Sequence, residues 1–149
     1  TGMLDASARD WLQSLDVLDV TGKVRISMAD KHRQINHYLE ILSHLAKECG
    51  WMGAPDLDAA RTANSAEPGR RPVLHLADMG CGKGYLTFGI WHLFHRVWKQ
   101  PVRIIGVETR ADLVATTNKL AQQIGIGALL QQGAKRHHIL GHRWVLGSG

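Results

Sequence analysis

The chain has 149 residues, 44% of them apolar and 21% charged, which suits one packed domain and excludes global disorder. Eighteen Lys and Arg against 13 Asp and Glu leave a formal charge of +5, which permits a polyanionic partner without requiring one. No apolar run approaches the ~20 residues of a membrane-spanning helix, so no membrane role is expected. Cys49 and Cys81 lie too far apart for a Cys-x-x-Cys metal knuckle or a disulfide framework, and the chain reads as a reducing, cytoplasmic protein. Its opening, Thr1-Gly2-Met3-Leu4-Asp5, lacks the basic-then-apolar order of a signal peptide and looks internal to a longer protein.

Residues 1–52 read as a helical extension. A short helix is expected from Asp5 to Leu15, with Trp11, Leu12 and Leu15 on one face. Thr21-Gly22-Lys23 is a turn between short β-prone pieces. A longer helix follows from about Ala29 to Cys49. Its apolar positions Ile35, Tyr38, Leu39, Leu42, Leu45, Ala46 and Cys49 step by threes and fours, and Gly50 stops it. Residues 53–72, rich in Gly, Pro, Ala and Ser, hold no sustained period and read as a linker.

Residues 73–133 form the most ordered pattern. Val73 to Asp78 is a short apolar run suited to a buried strand, followed by the glycine-rich turn Gly80-Cys81-Gly82-Lys83-Gly84. Tyr85 to Lys99 reads as a helix with Leu86, Ile90, Leu93, Phe94 and Val97 inward, halted by Gln100-Pro101. Val102 to Glu108 is a second strand. Ala111 to Ile124 is a second helix, with Leu113, Val114, Thr117, Leu120, Ala121 and Ile124 on one side. The order β-α-β-α predicts an α/β fold with parallel strands. Ala128 to Gln131 is a candidate third strand, and residues 134–149 read as an irregular tail.

A turn without side chains lets a ligand approach the backbone closely, and a helix start offers unpaired N–H groups. Spacing separates the ligand classes. The dinucleotide pattern Gly-x-Gly-x-x-Gly fails because Tyr85 stands at the third glycine. The phosphate-loop pattern fails because Gly84 follows Lys83 where a hydroxyl residue is needed. Asp78-Met79-Gly80-Cys81-Gly82-Lys83-Gly84 fits a third form, acidic-x-Gly-x-Gly-x-Gly. A second acid, Glu108, ends the neighbouring strand, where a carboxylate can accept from both hydroxyls of a ribose.

With that loop and that acid, residues 73–125 resemble the first half of a class I S-adenosylmethionine-dependent methyltransferase. Extended through Tyr85-Leu86-Thr87-Phe88 and joined to the upstream Lys31-His32-Arg33-Gln34-Ile35-Asn36, the pattern resembles a group of bacterial methyltransferase-domain proteins. The resemblance implies a partial Rossmann-like parallel sheet with S-adenosylmethionine as cofactor. It implies that Gly80, Gly82 and Gly84 line the methionine and ribose part. Asp78 holds the loop or meets the amino group, Glu108 binds the ribose, and Thr109 lies near the adenine. Cys81 falls inside the implied loop, and Tyr85 either packs over the cofactor or simply begins the helix. A complete domain of this kind has seven strands, so the chain reads as a fragment with no assignable catalytic residue.

Two other readings share the frame: an NAD- or nucleotide-dependent α/β enzyme, and a non-catalytic binding module with a relic glycine loop. The methyl acceptor is left open among RNA, protein and small molecules, with basic charge leaning slightly toward RNA. No metal is expected. His92-x-x-His95 and the cluster His137, His138 and His142 lack a full ligand set and read as surface or cap histidines.

Overall fold

The computed structural model describes residues 2–51, 73–125 and 142–147. A 3-10 turn at Ala6–Ala8 leads into helix α1 (Arg9–Ser14), and the Asp5 carboxylate caps the turn by accepting from the Ser7 N–H at 2.9 Å. Leu18 and Val24 pair as an isolated bridge around Gly22. A second 3-10 turn, Ile26–Met28, opens helix α2 (Ala29–Glu48).

Helix α2 ends as its punctuation predicts. Gly50 takes φ of +70°, its N–H donates to the Lys47 carbonyl, and the Trp51 N–H donates to the Ala46 carbonyl. Its buried face is narrower than the apolar pattern: Ile35, Leu39, Ser43 and Ala46 are buried, whereas Tyr38, Leu45 and Cys49 are exposed. Ser43 is tolerated there because its hydroxyl bonds the Glu40 carbonyl at 3.0 Å.

Strand β1 (Leu74–Met79) pairs in parallel with β2 (Val102–Glu108), from Leu74 opposite Val102 to Met79 opposite Val107. Between them runs α3 (Tyr85–Trp91), which continues without a break into a π-helical turn, His92–Val97. Helix α4 (Ala111–Gln123) comes after β2. The fold is α/β, a partial Rossmann-like sheet with helices, as expected.

Two expectations need correction. Residues His142–Gly147, read as part of an irregular tail, form strand β3, antiparallel to β2 with Glu108 opposite His142. The sheet order is therefore β1-β2-β3. The signal was present in Trp144-Val145-Leu146, three β-prone residues bounded by glycines at 141 and 147. The candidate strand at 128–131 and the linker at 53–72 lie outside the described residues.

The second correction concerns α3. Thr87, Phe88, Gly89, Trp91, His92, Leu93 and Phe94 are buried, while Val97 is exposed and Leu86 and Ile90 are only half-buried. The helix lies between α2 and β2, so it buries more than one stripe. The π turn then adds a residue and shifts the phase of the side chains beyond it.

One core joins these parts. Trp11, Leu12, Ile35 and Leu39 from the N-terminal segment cluster with Phe88, Leu93, Val102, Ile104 and Val114. Trp11 stacks on Phe88 with ring centroids 6.4 Å apart. Arg96 clamps the segment from outside: its two terminal nitrogens donate to the two Asp10 carboxylate oxygens at 2.7 and 2.6 Å, and it covers the Trp91 ring. Leu74, Leu76, Val102 and Ile104 occupy the core-bearing face of the sheet. On the other face His75, Ala77, Met79 and Arg103 are exposed.

Candidate functional site

The carboxyl ends of β1 and β2 lie side by side, and the two acids predicted there behave differently. Asp78 points back into the fold and accepts a hydrogen bond from the Thr87 hydroxyl of α3. Thr87 is fully buried, so this bond ties the strand end to the first turn of the helix and sets the span of the loop between them. Thr87 has a part that sequence reasoning missed. A threonine nine residues after the acid, in the first turn of α3, was the available signal.

Glu108 points at the loop. Its side chain is 5% exposed, and its Oε2 accepts from the Gly82 N–H at 2.9 Å. Oε2 also accepts from Arg110 Nη2 at 3.1 Å. Oε1 accepts from the Thr109 N–H at 3.0 Å, the Arg110 N–H at 3.1 Å and Arg110 Nε at 3.0 Å, with the Thr109 hydroxyl at 3.3 Å. The Arg110 side chain, then the Arg110 and Gly82 backbone N–H groups, hold the Glu108 carboxyl down to about 2 against the opposing effect of burial. Glu108 is therefore an anion across the whole physiological range. Arg110 was not among the predicted residues. A base two positions after a strand-end acid was its signal.

Gly80, Gly82 and Gly84 all take positive φ, at +69°, +57° and +86°. The expectation that the turn offers spare N–H donors is corrected in part. The Gly80 and Cys81 N–H groups donate to the Val107 carbonyl, Gly82 donates to Glu108, and Gly84 donates to the Cys81 carbonyl. The loop offers space instead. A Cβ on Gly80 would meet nothing within 4 Å, and one on Gly82 only Arg110 Nη2 at 3.8 Å. An open backbone cradle thus sits against a buried anion, an arrangement suited to a polar ligand carrying paired hydroxyls.

The remaining predicted residues divide. Thr109 is exposed and joined to Glu108. Cys81 is half-buried and packs against the core. Tyr85 begins α3, and its ring lies under the Lys31 ammonium of α2 at 5.2 Å. Tyr85 and Lys83 also line a cavity of about 280 Å³ with Leu15, Met28, Leu113 and Leu120, a space to which neither Asp78 nor Glu108 contributes. Tyr85 is thus tied to the N-terminal side of the fold.

Among the described residues no cluster of three or more His, Cys, Asp or Glu could hold a metal. His92 is not a surface histidine: it is fully buried 5.8 Å from the Trp11 ring, and His95 stacks on Trp91. Among the described residues no helix is long and apolar enough to cross a membrane.

No curated protein and no solved structure gives a significant match. A family model described as a methyltransferase domain covers residues 30–140, from the start of α2 past α4. With most of the chain inside that match and the loop, the acid and the parallel strands in place, the chain belongs to this methyltransferase-domain family.

Proposed function

We propose that this chain is the cofactor-binding half of a methyltransferase that uses S-adenosylmethionine. The observation that carries the reading is the 2.9 Å bond from the Gly82 N–H to Glu108, which puts an open glycine loop and a permanently ionised acid at one place. Glu108 would accept the two ribose hydroxyls. Gly80 and Gly82 would let the sugar and the methionine portion approach the backbone, since both have room where a side chain would stand. Gly84 starts α3, Cys81 fills the turn, and Thr109 flanks the acid toward the adenine. Asp78, engaged by Thr87, holds the loop in shape.

When bound, S-adenosylmethionine supplies a methyl group on a sulfonium centre, open to in-line displacement. The part of this chain is to bind and orient it. The acceptor would come from outside the described site, and the +5 charge favours RNA over a neutral small molecule. A reducing, cytoplasmic compartment is part of this reading, resting on the wide sequence separation of Cys49 and Cys81.

Titration calorimetry with S-adenosylhomocysteine tests the reading. The chain is expected to bind it, and Glu108→Ala is expected to lower affinity by about tenfold or more, as for a lost charge-assisted hydrogen-bond pair. Glu108→Gln, which keeps the shape, is expected to fall between. Equal affinity for all three proteins removes Glu108 from the site.

A further inference from the structure

The Glu108 carboxylate already accepts six hydrogen bonds. A ribose hydroxyl can therefore reach it only by displacing one of the present donors. Three of the donors are backbone N–H groups, of Gly82, Thr109 and Arg110, and cannot leave without moving the loop or the strand end. The Arg110 guanidinium is different. It spans both oxygens, Nε on Oε1 and Nη2 on Oε2, which is how the two hydroxyls of a vicinal diol would sit. It is also the group that approaches the open side of Gly82. Its side chain is 62% exposed and can swing into water at small cost, whereas the carboxylate, 5% exposed, cannot be left bare.

We propose that Arg110 is a latch on the nucleoside site, standing in for the ribose diol on Glu108 and released only by a ligand that supplies two hydroxyls in its place. The inference rests on the cofactor reading above and extends it to selectivity. A ligand with an intact diol restores the hydrogen bonds that the guanidinium gives up, so the exchange is nearly balanced. A deoxygenated nucleoside cannot restore them, so it leaves the pair closed and binds without the help of the carboxylate. Arg110 thereby acts as a specificity-determining residue without being a catalytic one.

The test compares the whole chain with Arg110→Met and Arg110→Lys, titrated with S-adenosylhomocysteine and with its 2′,3′-dideoxy analogue. Arg110→Met is expected to bind S-adenosylhomocysteine about three- to tenfold more tightly than the parent, because no fork must be displaced. Arg110→Lys, a point charge without the fork, is expected to lie between. The dideoxy analogue is expected to gain less than about twofold from either change. Raising salt is expected to narrow the difference between parent and Arg110→Met. Unchanged or weaker binding of S-adenosylhomocysteine to Arg110→Met, with the parent binding, overturns the latch and leaves the cofactor site standing. An equal gain for the dideoxy analogue also overturns it, since Arg110 would then act by charge alone. Binding to none of the three proteins overturns the latch and the cofactor reading together.

Discussion

Gly84 holds φ at +86°, and a Cβ built there would lie 3.1 Å from Thr117 Cγ2 and 3.3 Å from the Phe88 ring. Gly50 takes a similar backbone with nothing within 4 Å. The pair separates two costs. Gly50→Ala carries only the left-handed strain, about 1 kcal/mol, whereas Gly84→Ala adds crowding between α3 and α4 and is expected to cost about 2–4 kcal/mol. Denaturant unfolding of the two variants checks the difference. His92 is the second residue with a measurable consequence. It is fully buried, and neither ring nitrogen has a hydrogen-bond partner among the described residues. Burial and then the Arg96 charge push its pKa below 6.5, with Asp5 and Asp10 pulling weakly the other way. The unfolded chain therefore takes up a proton first as pH falls. The stability that neutral His92 contributes is complete above about pH 6.5 and is lost below it. His32 and His95, also lowered by burial, add the same sign. Unfolding free energies at about pH 7 and pH 5 are expected to differ more for the parent than for His92→Phe. Equal differences would remove His92 as the source.

Helices α2 and α3 meet at Gly89, where a Cβ would lie 3.3 Å from Leu39 Cδ2 and 3.4 Å from Ile35 Cγ2. Leucine and isoleucine tips can shift by a few tenths of an ångström, so Gly89→Ala is expected to be near neutral, its helix propensity offsetting the crowding. Gly89→Val drives two more methyl groups into the same contact and is expected to destabilise by about 1–3 kcal/mol, read from thermal or denaturant unfolding. The elements themselves were largely legible, because their signals are local. Gly50, Gln100-Pro101 and Gly125 end three helices close to where the spacing puts them. The buried faces were less legible, because burial depends on what packs from each side. Ser43 lies inward where an apolar residue would be expected, and Val97 lies outward where the stripe puts it inward. Strand β3 was missed because a six-residue strand paired across a long separation leaves no period to count.

At the scale of the whole molecule, the N-terminal segment is half of a shared core. Trp11 and Leu12 close over Phe88 and His92, and Asp10 is gripped by Arg96. Removing residues 1–28 would bare those rings and leave Arg96 without its carboxylate. The shortened chain is expected to lose cooperative thermal unfolding, monitored by circular dichroism, and a sharp transition retained near the parent midpoint would contradict the shared core. The site was legible to the extent that backbone chemistry specifies it: Gly80, Gly82, Gly84 and Glu108 announce themselves by type and spacing. Thr87 and Arg110 act through side-chain bonds to the two strand-end acids, and a hydroxyl or a guanidinium alone does not reveal its partner.

The six-residue turn His92–Val97 has a consequence for how length changes would be absorbed. A π turn holds one residue more than an α turn, so losing a residue there would let the helix relax into regular geometry with its backbone ladder intact. Later side chains would keep their places about the axis, because the π turn already absorbs the surplus residue. Straightened without that loss, the helix would rotate them by about 100°, swinging Arg96 off Asp10 and Trp98 off the edge of Phe94. The surplus residue works as a phase adjuster: it aims the last turn of this helix at the segment that closes the core.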